Sequence, residues 1–202
     1  MKDLPVNMFD LACVGFLIFG ITRGRKNGMS VEMMFMFQWL AIVFGCAFGY
    51  APVGQFFYEE SPLSRVTCNI IAYFFLGIVI RIFFGFIRRS LGGKLVGSSI
   101  FGAAEYYLGM AAGLVRFFCI TIFLLAFLHA RQYTAKEVRE NLAYQQKWFD
   151  SNFFPSQHDL QKIVFEKSIL GPRVIMPLEF LLIKPTIMEE RGIRRAGDFK
   201  EP

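Results

Sequence analysis

Four long apolar stretches, rich in phenylalanine, run from Val6 to Thr22, Val31 to Tyr50, Val66 to Ile87 and Ile100 to Leu128. Each is close to the about 20 residues that carry a helix across the hydrocarbon core of a bilayer. In lipid the backbone must satisfy its own hydrogen bonds, so helices are the expected form. An all-α soluble core is set aside because soluble helices keep a polar face, which these stretches lack. Phenylalanine alone contributes 25 residues and the hydrophobic fraction is 54%. The mean hydropathy of +0.43 is high for a chain that must also cover a polar surface. The expectation is an all-α integral membrane protein with four transmembrane helices and a short helical C-terminal tail.

The net charge of +6 could suggest a nucleic-acid partner, but its placement argues for orientation instead. Arg23, Arg25 and Lys26 follow the first span, and Arg88, Arg89 and Lys94 follow the third. The connection between spans two and three carries Glu59 and Glu60, with no basic residue before Arg65. This asymmetry puts the first and third loops in the cytoplasm, and the N-terminus, the second loop and the C-terminal tail outside. Cys13, Cys46, Cys68 and Cys119 all fall in predicted spans, where they read as small packing residues rather than a disulfide framework. No basic n-region or small-residue cleavage site precedes the first span, so it is expected to stay as an anchor.

After Leu128 the composition changes, giving a membrane domain over 1–128 and an extracytoplasmic amphipathic tail over 129–202. Thr134 with Glu137 forms a capping box, followed by a stripe of Val138, Leu142, Gln145 and Phe149. Ser156 with Asp159 starts a second helix whose apolar face is Leu160, Ile163 and Val164, and Gly171-Pro172 stops it. The run from Val174 to Ile183 is about half the length of a span and is interrupted by Pro177 and Glu179. It is expected to dock against the membrane domain or the lipid interface. From Met188 a polar, frayed end follows.

Chemistry-bearing motifs are absent. His129 and His158 have no Cys, Asp or Glu at ligand spacing, so neither a metal nor another cofactor is expected. Gly92-Gly93-Lys94 lacks the upstream glycine of a phosphate loop, and no serine stands in a nucleophile motif. The chain is not expected to be an enzyme.

Charges inside the spans stand out: Asp10, Glu32, Arg81, Glu105 and Arg116. Each costs at least ~2.5 kcal/mol at the bilayer centre unless it finds a partner, water or the interface. Depth along the spans suggests two polar clusters, Arg81 with Glu32 and Glu105, and Asp10 with Arg116 snorkelling outward. They either fix helix register or line a solute or proton path. Small residues form stripes as well: Gly24, Gly28 and Glu32; Gly45 and Gly49; and Glu105, Gly109 and Gly113, with Gly102, Ala112 and Arg116 close by. Such stripes let helix backbones approach closely, and they are also what a pore lining in an oligomer would need.

The segment Arg23-Gly24-Arg25-Lys26-Asn27-Gly28-Met29-Ser30-Val31-Glu32, with Asp10 before it, resembles the glycine-basic-glycine-glutamate turn of the colicin V production protein family. Glu105, Gly109, Gly113 and Arg116 resemble that family's fourth-helix signature. Glu105 stands where an aspartate is usual and Tyr106 where a basic residue is usual, so a local acid–base pair there is lost or supplied by another helix. The resemblance covers roughly residues 8 to 128. It implies a bacterial inner-membrane protein linked to colicin V production and envelope integrity.

Two functions follow. One is a membrane scaffold or accessory factor supporting toxin production or export and envelope homeostasis, with the tail meeting an extracytoplasmic protein partner. The other is an oligomeric channel or small-solute transporter lined by the Gly/Ala-rich fourth helix. The partners implied are the lipid bilayer, further copies of the chain in a homo-oligomer, and that tail-bound protein; nucleic acid is not among them.

Overall fold

A computed structural model describes residues 7–95, 102–140, 143 and 157–187. Four long helices dominate it: α1 (Met8–Asn27), α2 (Met29–Glu60), α3 (Arg65–Leu95) and α4 (Glu105–His129). α1, α2 and α3 run further into polar sequence than their apolar cores, because hydrogen bonding propagates a helix past its hydrophobic stretch. α2 shows this most, running ten residues beyond Tyr50 so that Glu59 and Glu60 form its last turn rather than a loop. The fourth helix begins at Glu105, after a 3₁₀ turn at Gly102–Ala104; residues 100 and 101 lie outside the described ones.

α2, α3 and α4 are each long and apolar enough to cross a membrane. α1, with 20 residues, is not among them: Asp10 stands in its first turn, Arg25 and Lys26 in its last, and Arg23 just before them.

Two antiparallel pairs make the bundle. α1 and α2 are joined by a single residue, Gly28, whose φ of 75° lies in the left-handed region open to glycine. α2 and α3 are joined by a turn at residues 61–64. In the α2–α3 pair, Gly45 faces Ile80, Gly49 faces Leu76 and Gly54 faces Asn69. In the α1–α4 pair, Gly20 meets Phe117 and Gly113, and Gly24 meets Gly109 and Gly113. α4 also packs against α2, where Trp39 edges onto Phe123, and Tyr73 of α3 lies tilted against the same ring.

The core does not divide at residue 128. Among the tail residues, 135–140 are helical, and Glu137 accepts from the Thr134 N–H at 3.1 Å as the capping box anticipates. Leu142, Gln145, Phe149 and Ser156 lie outside the described residues. The second tail helix is shorter and less regular than its pattern suggests. Gln157–Gln161 is α-helical, Lys162–Glu166 and Gly171–Ile175 are π-helical turns, and Met176–Leu181 is 3₁₀. Its buried residues are Val164 and Phe165, whereas Leu160 is exposed. Gly171-Pro172 does not end the structure, because Gly171 packs on Val164 and Ser168 and the chain coils on from there.

This segment enters the bundle. Val164, Phe165, Leu182 and Ile183 join Ile42, Cys46, Tyr50, Tyr73, Leu125 and Ala126 in one buried cluster. Leu181, with Leu178 against it, joins Val43 and Ala47 of α2 and Cys119 and Ile122 of α4. Those partners sit near the middle of both helices, so this segment is buried between α2 and α4 rather than laid on the bundle surface as an amphipathic helix. It leaves along the bundle end, where Thr186–Ile187 pairs in parallel with Arg131–Gln132.

Candidate functional site

The polar interior centres on Glu32, in the first turn of α2, whose side chain is fully buried. Its Oε1 accepts from Arg116 Nη1 at 2.7 Å and its Oε2 from Asn27 Nδ2 at 2.8 Å. The Arg116 guanidinium lies 4.5 Å from the centroid of the Phe35 ring and 5.5 Å from that of Phe117. A charge-assisted hydrogen bond with aromatic faces around the cation is the arrangement that makes a buried ion pair tolerable. Arg116 Nε is buried and has no hydrogen-bond partner among the described residues.

Arg116 therefore pairs with Glu32 and not with Asp10. Side chains of a helix lean toward its N-terminus. α4 begins beside Gly28, so the Arg116 side chain runs toward the α1–α2 turn instead of outward. Asp10 has other work. It is buried, and its carboxylate accepts from the backbone N–H groups of Ile169 at 3.0 Å, Leu170 at 3.1 Å and Asn7 at 3.2 Å. Ile169 and Leu170 lie between the two π-helical turns, where regular helix bonds are interrupted, and such donors are costly to leave bare inside a membrane protein.

The other proposed cluster does not form. Arg81 is exposed on α3 and makes no ion pair among the described residues. Its long stem can carry the charge along the helix toward the basic end. Glu105, in the first turn of α4, lies over the α1–α2 turn: a Cβ on Gly28 would stand 3.0 Å from its Oε1. There its negative charge faces the positive end of its own helix dipole.

The glycine stripes all lie on packing faces, but of two kinds. At Gly24, an added Cβ would run into the Gly109 carbonyl and stand 3.0 Å from Gly113 Cα. At Gly109 it would stand 2.6 Å from the Gly24 carbonyl oxygen, and at Gly113 2.9 Å from Gly24 Cα. This seam is backbone against backbone. At Gly45 and Gly49 the nearest atoms are instead the Ile80 and Leu76 methyls, at 2.7 and 2.9 Å.

Some contributors were not singled out from the sequence. Gly20 continues the Gly24–Gly28 spacing one turn earlier, a signal that was there to find. Asn27 stands next to the Gly28 turn, but nothing in its type marks it as a ligand of Glu32. The tail latch was also hidden: Asn7 Nδ2 donates to Ile163 O at 3.1 Å, the Lys184 N–H to Tyr50 Oη at 3.1 Å, and His129 Nδ1 to Ile183 O at 2.9 Å. Gln161 Nε2 donates to the carbonyls of Leu128 and Arg131, satisfying the end of α4. Beyond the spans, the Thr134 N–H, with Arg131 alongside, holds the Glu137 carboxyl below its usual carboxylate range.

Cys13, Cys46, Cys68 and Cys119 are buried and free, and Cys46 Sγ donates to the Tyr73 carbonyl at 3.3 Å. Among the described residues no three His, Cys, Asp or Glu side chains are grouped to hold a metal ion.

Three helices long and apolar enough to cross a membrane, packed around a buried ion pair, mark a multi-pass helical membrane protein. The family model of the colicin V production protein matches residues 9–160, and the chain belongs to that family. The match runs past the membrane helices into the tail, further than residue 128. No curated protein and no solved structure matches the chain.

Proposed function

We propose that the protein is a bacterial inner-membrane scaffold or accessory factor that supports toxin production or export and envelope homeostasis, and that it is not an enzyme. The observation that carries this reading is the α1–α4 seam. The glycine face of α4, which a pore would need free, is occupied by the backbone of α1 within one protomer. The groove between α2 and α4 is likewise filled by Leu178 and Leu181. Such a protein acts through the surfaces it presents, and the end of the bundle carrying the tail is where it would meet an extracytoplasmic protein partner.

In this reading α1 is a fourth span, held by its contact with α4 rather than by its own hydropathy. The N-terminus, the α2–α3 turn and the tail are outside. Support for that orientation comes from Arg25 and Lys26 in the last turn of α1 and from Arg88 and Arg89 near the end of α3, at the opposite end of the bundle from the tail.

A second reading, an oligomeric channel or small-solute transporter, is favoured by the tail segment buried between α2 and α4. Irregular backbone at membrane depth is tolerated where it is buried in protein or lines a water-filled path. Efflux from proteoliposomes separates the two, with empty vesicles and Arg116→Ala protein as controls. Absence of flux across a range of solutes, pH gradients and membrane tension is expected. Flux that Arg116→Ala alters would overturn the scaffold reading in favour of conduction.

A further inference from the structure

On the outer surface of the α1–α4 pair, at its basic end, lies a cavity of about 560 Å³ lined by Thr22, Arg25, Lys26, Tyr106, Tyr107 and Met110. Arg25 and Lys26 are exposed in the last turn of α1 and make no ion pair among the described residues. Tyr106 and Tyr107 are exposed in the first turn of α4. Among the described residues no carboxylate lines the cavity; the nearest acid in sequence, Glu105, has its carboxyl against Gly28. The cavity thus combines two uncompensated cations, two phenol hydroxyls and the positive end of the α4 dipole.

Its depth matters as much as its charge. With α1 read as a span, its apolar run ends at Thr22 and Arg25 and Lys26 stand about one turn beyond it, at the level expected of bilayer phosphates. Tyrosine rings favour the same level, with the ring in the apolar layer and the hydroxyl in the polar one. Met110 and the tyrosine faces supply an apolar floor below the cations.

We propose that this cavity binds the headgroup of an anionic phospholipid. The phosphate sits against Arg25 and Lys26, and the glycerol backbone lies over Tyr106 and Tyr107. A zwitterionic headgroup is disfavoured, because its ammonium brings a further cation beside Arg25 and Lys26 and no carboxylate among the described residues lines the cavity to offset it. The site is independent of whether the bundle scaffolds or conducts.

Native mass spectrometry of the full chain released from nanodiscs of mixed phosphatidylglycerol and phosphatidylcholine tests this. The unaltered protein should retain phosphatidylglycerol selectively. R25Q/K26Q should lower that retention by about 30-fold, at roughly 1 kcal/mol per basic residue. R23Q/R89Q removes the same charge from the same end without touching the cavity and should change it little. Tyr107→Ala, at an exposed position, gives a second probe and should weaken retention several-fold. Equal losses in R25Q/K26Q and R23Q/R89Q would mean diffuse attraction to the leaflet and would overturn the site. So would unchanged retention in R25Q/K26Q, or displacement of the lipid by millimolar inorganic phosphate, which would mark a site for a free anion.

Discussion

The two antiparallel helix pairs use glycine spacing in different ways. α2 and α3 place Gly45 and Gly49 opposite the tips of Ile80 and Leu76, so glycine there makes room for a branched side chain. α1 and α4 place Gly24 opposite Gly109 and Gly113, so glycine there removes side chains from both faces. The first seam can adjust, since a methyl at the end of a side chain can rotate away. The second cannot, because a carbonyl held in a helix has nowhere to go. This rigidity lets α1, the least apolar of the four helices, hold its place. It also fixes the rotation of α4 that aims Arg116 at Glu32.

Four changes sharpen this contrast, most readily read as unfolding in mixed SDS micelles. The largest effect belongs to the ion pair joining the seams. Glu32→Ala strands Arg116 and is expected to cost about 3–5 kcal/mol. Glu32→Leu with Arg116→Met should recover most of that loss; if the double variant is no better than Glu32→Ala, the pair does more than clip helices together. Next, Gly24→Ala should cost about 3 kcal/mol, at the upper end for an overpacked interface. A near-neutral result would mean that the α1–α4 backbones do not touch.

Asp10→Ala comes third, at about 1–3 kcal/mol, because it leaves tail N–H groups without an acceptor. Its signature is local: hydrogen exchange should accelerate at Ile169 and Leu170 while Gly109 and Gly113 stay protected, and uniform acceleration would argue against a discrete latch. Smallest is Gly49→Ala, expected to cost under about 1.5 kcal/mol because Leu76 can change rotamer. Should Gly49→Ala prove as damaging as Gly24→Ala, the distinction between the two seams collapses.

Much of this was readable along the chain, and the reason is locality. A helix in lipid needs only an apolar run of sufficient length; the four stretches fall largely on the four long helices, and three of these, α2, α3 and α4, are long and apolar enough to cross a membrane. The glycine spacings and the intramembrane charges could be read in the same way, since each depends on position within one helix. Pairing could not. Asp10 and Arg116 looked like partners by depth, but depth says nothing about rotation about the helix axis or about the direction in which a side chain leans.

The tail shows the limit most clearly. Its apolar run from Val174 to Ile183 is too short to span, and Pro177 and Glu179 make it look like an interfacial segment. Only the packed bundle has the slot between Val43 and Cys119 into which Leu181 fits, and only there does Asp10 meet the two tail N–H groups. The sequence by itself determined the membrane helices, their basic ends and the stock of polar and small residues, because those follow from local hydropathy and spacing. The tertiary structure decided which carboxylate meets Arg116, which glycines touch backbone and where the tail inserts. Those outcomes depend on the relative rotation and approach of whole helices, which backbone contact at Gly24, Gly109 and Gly113 sets.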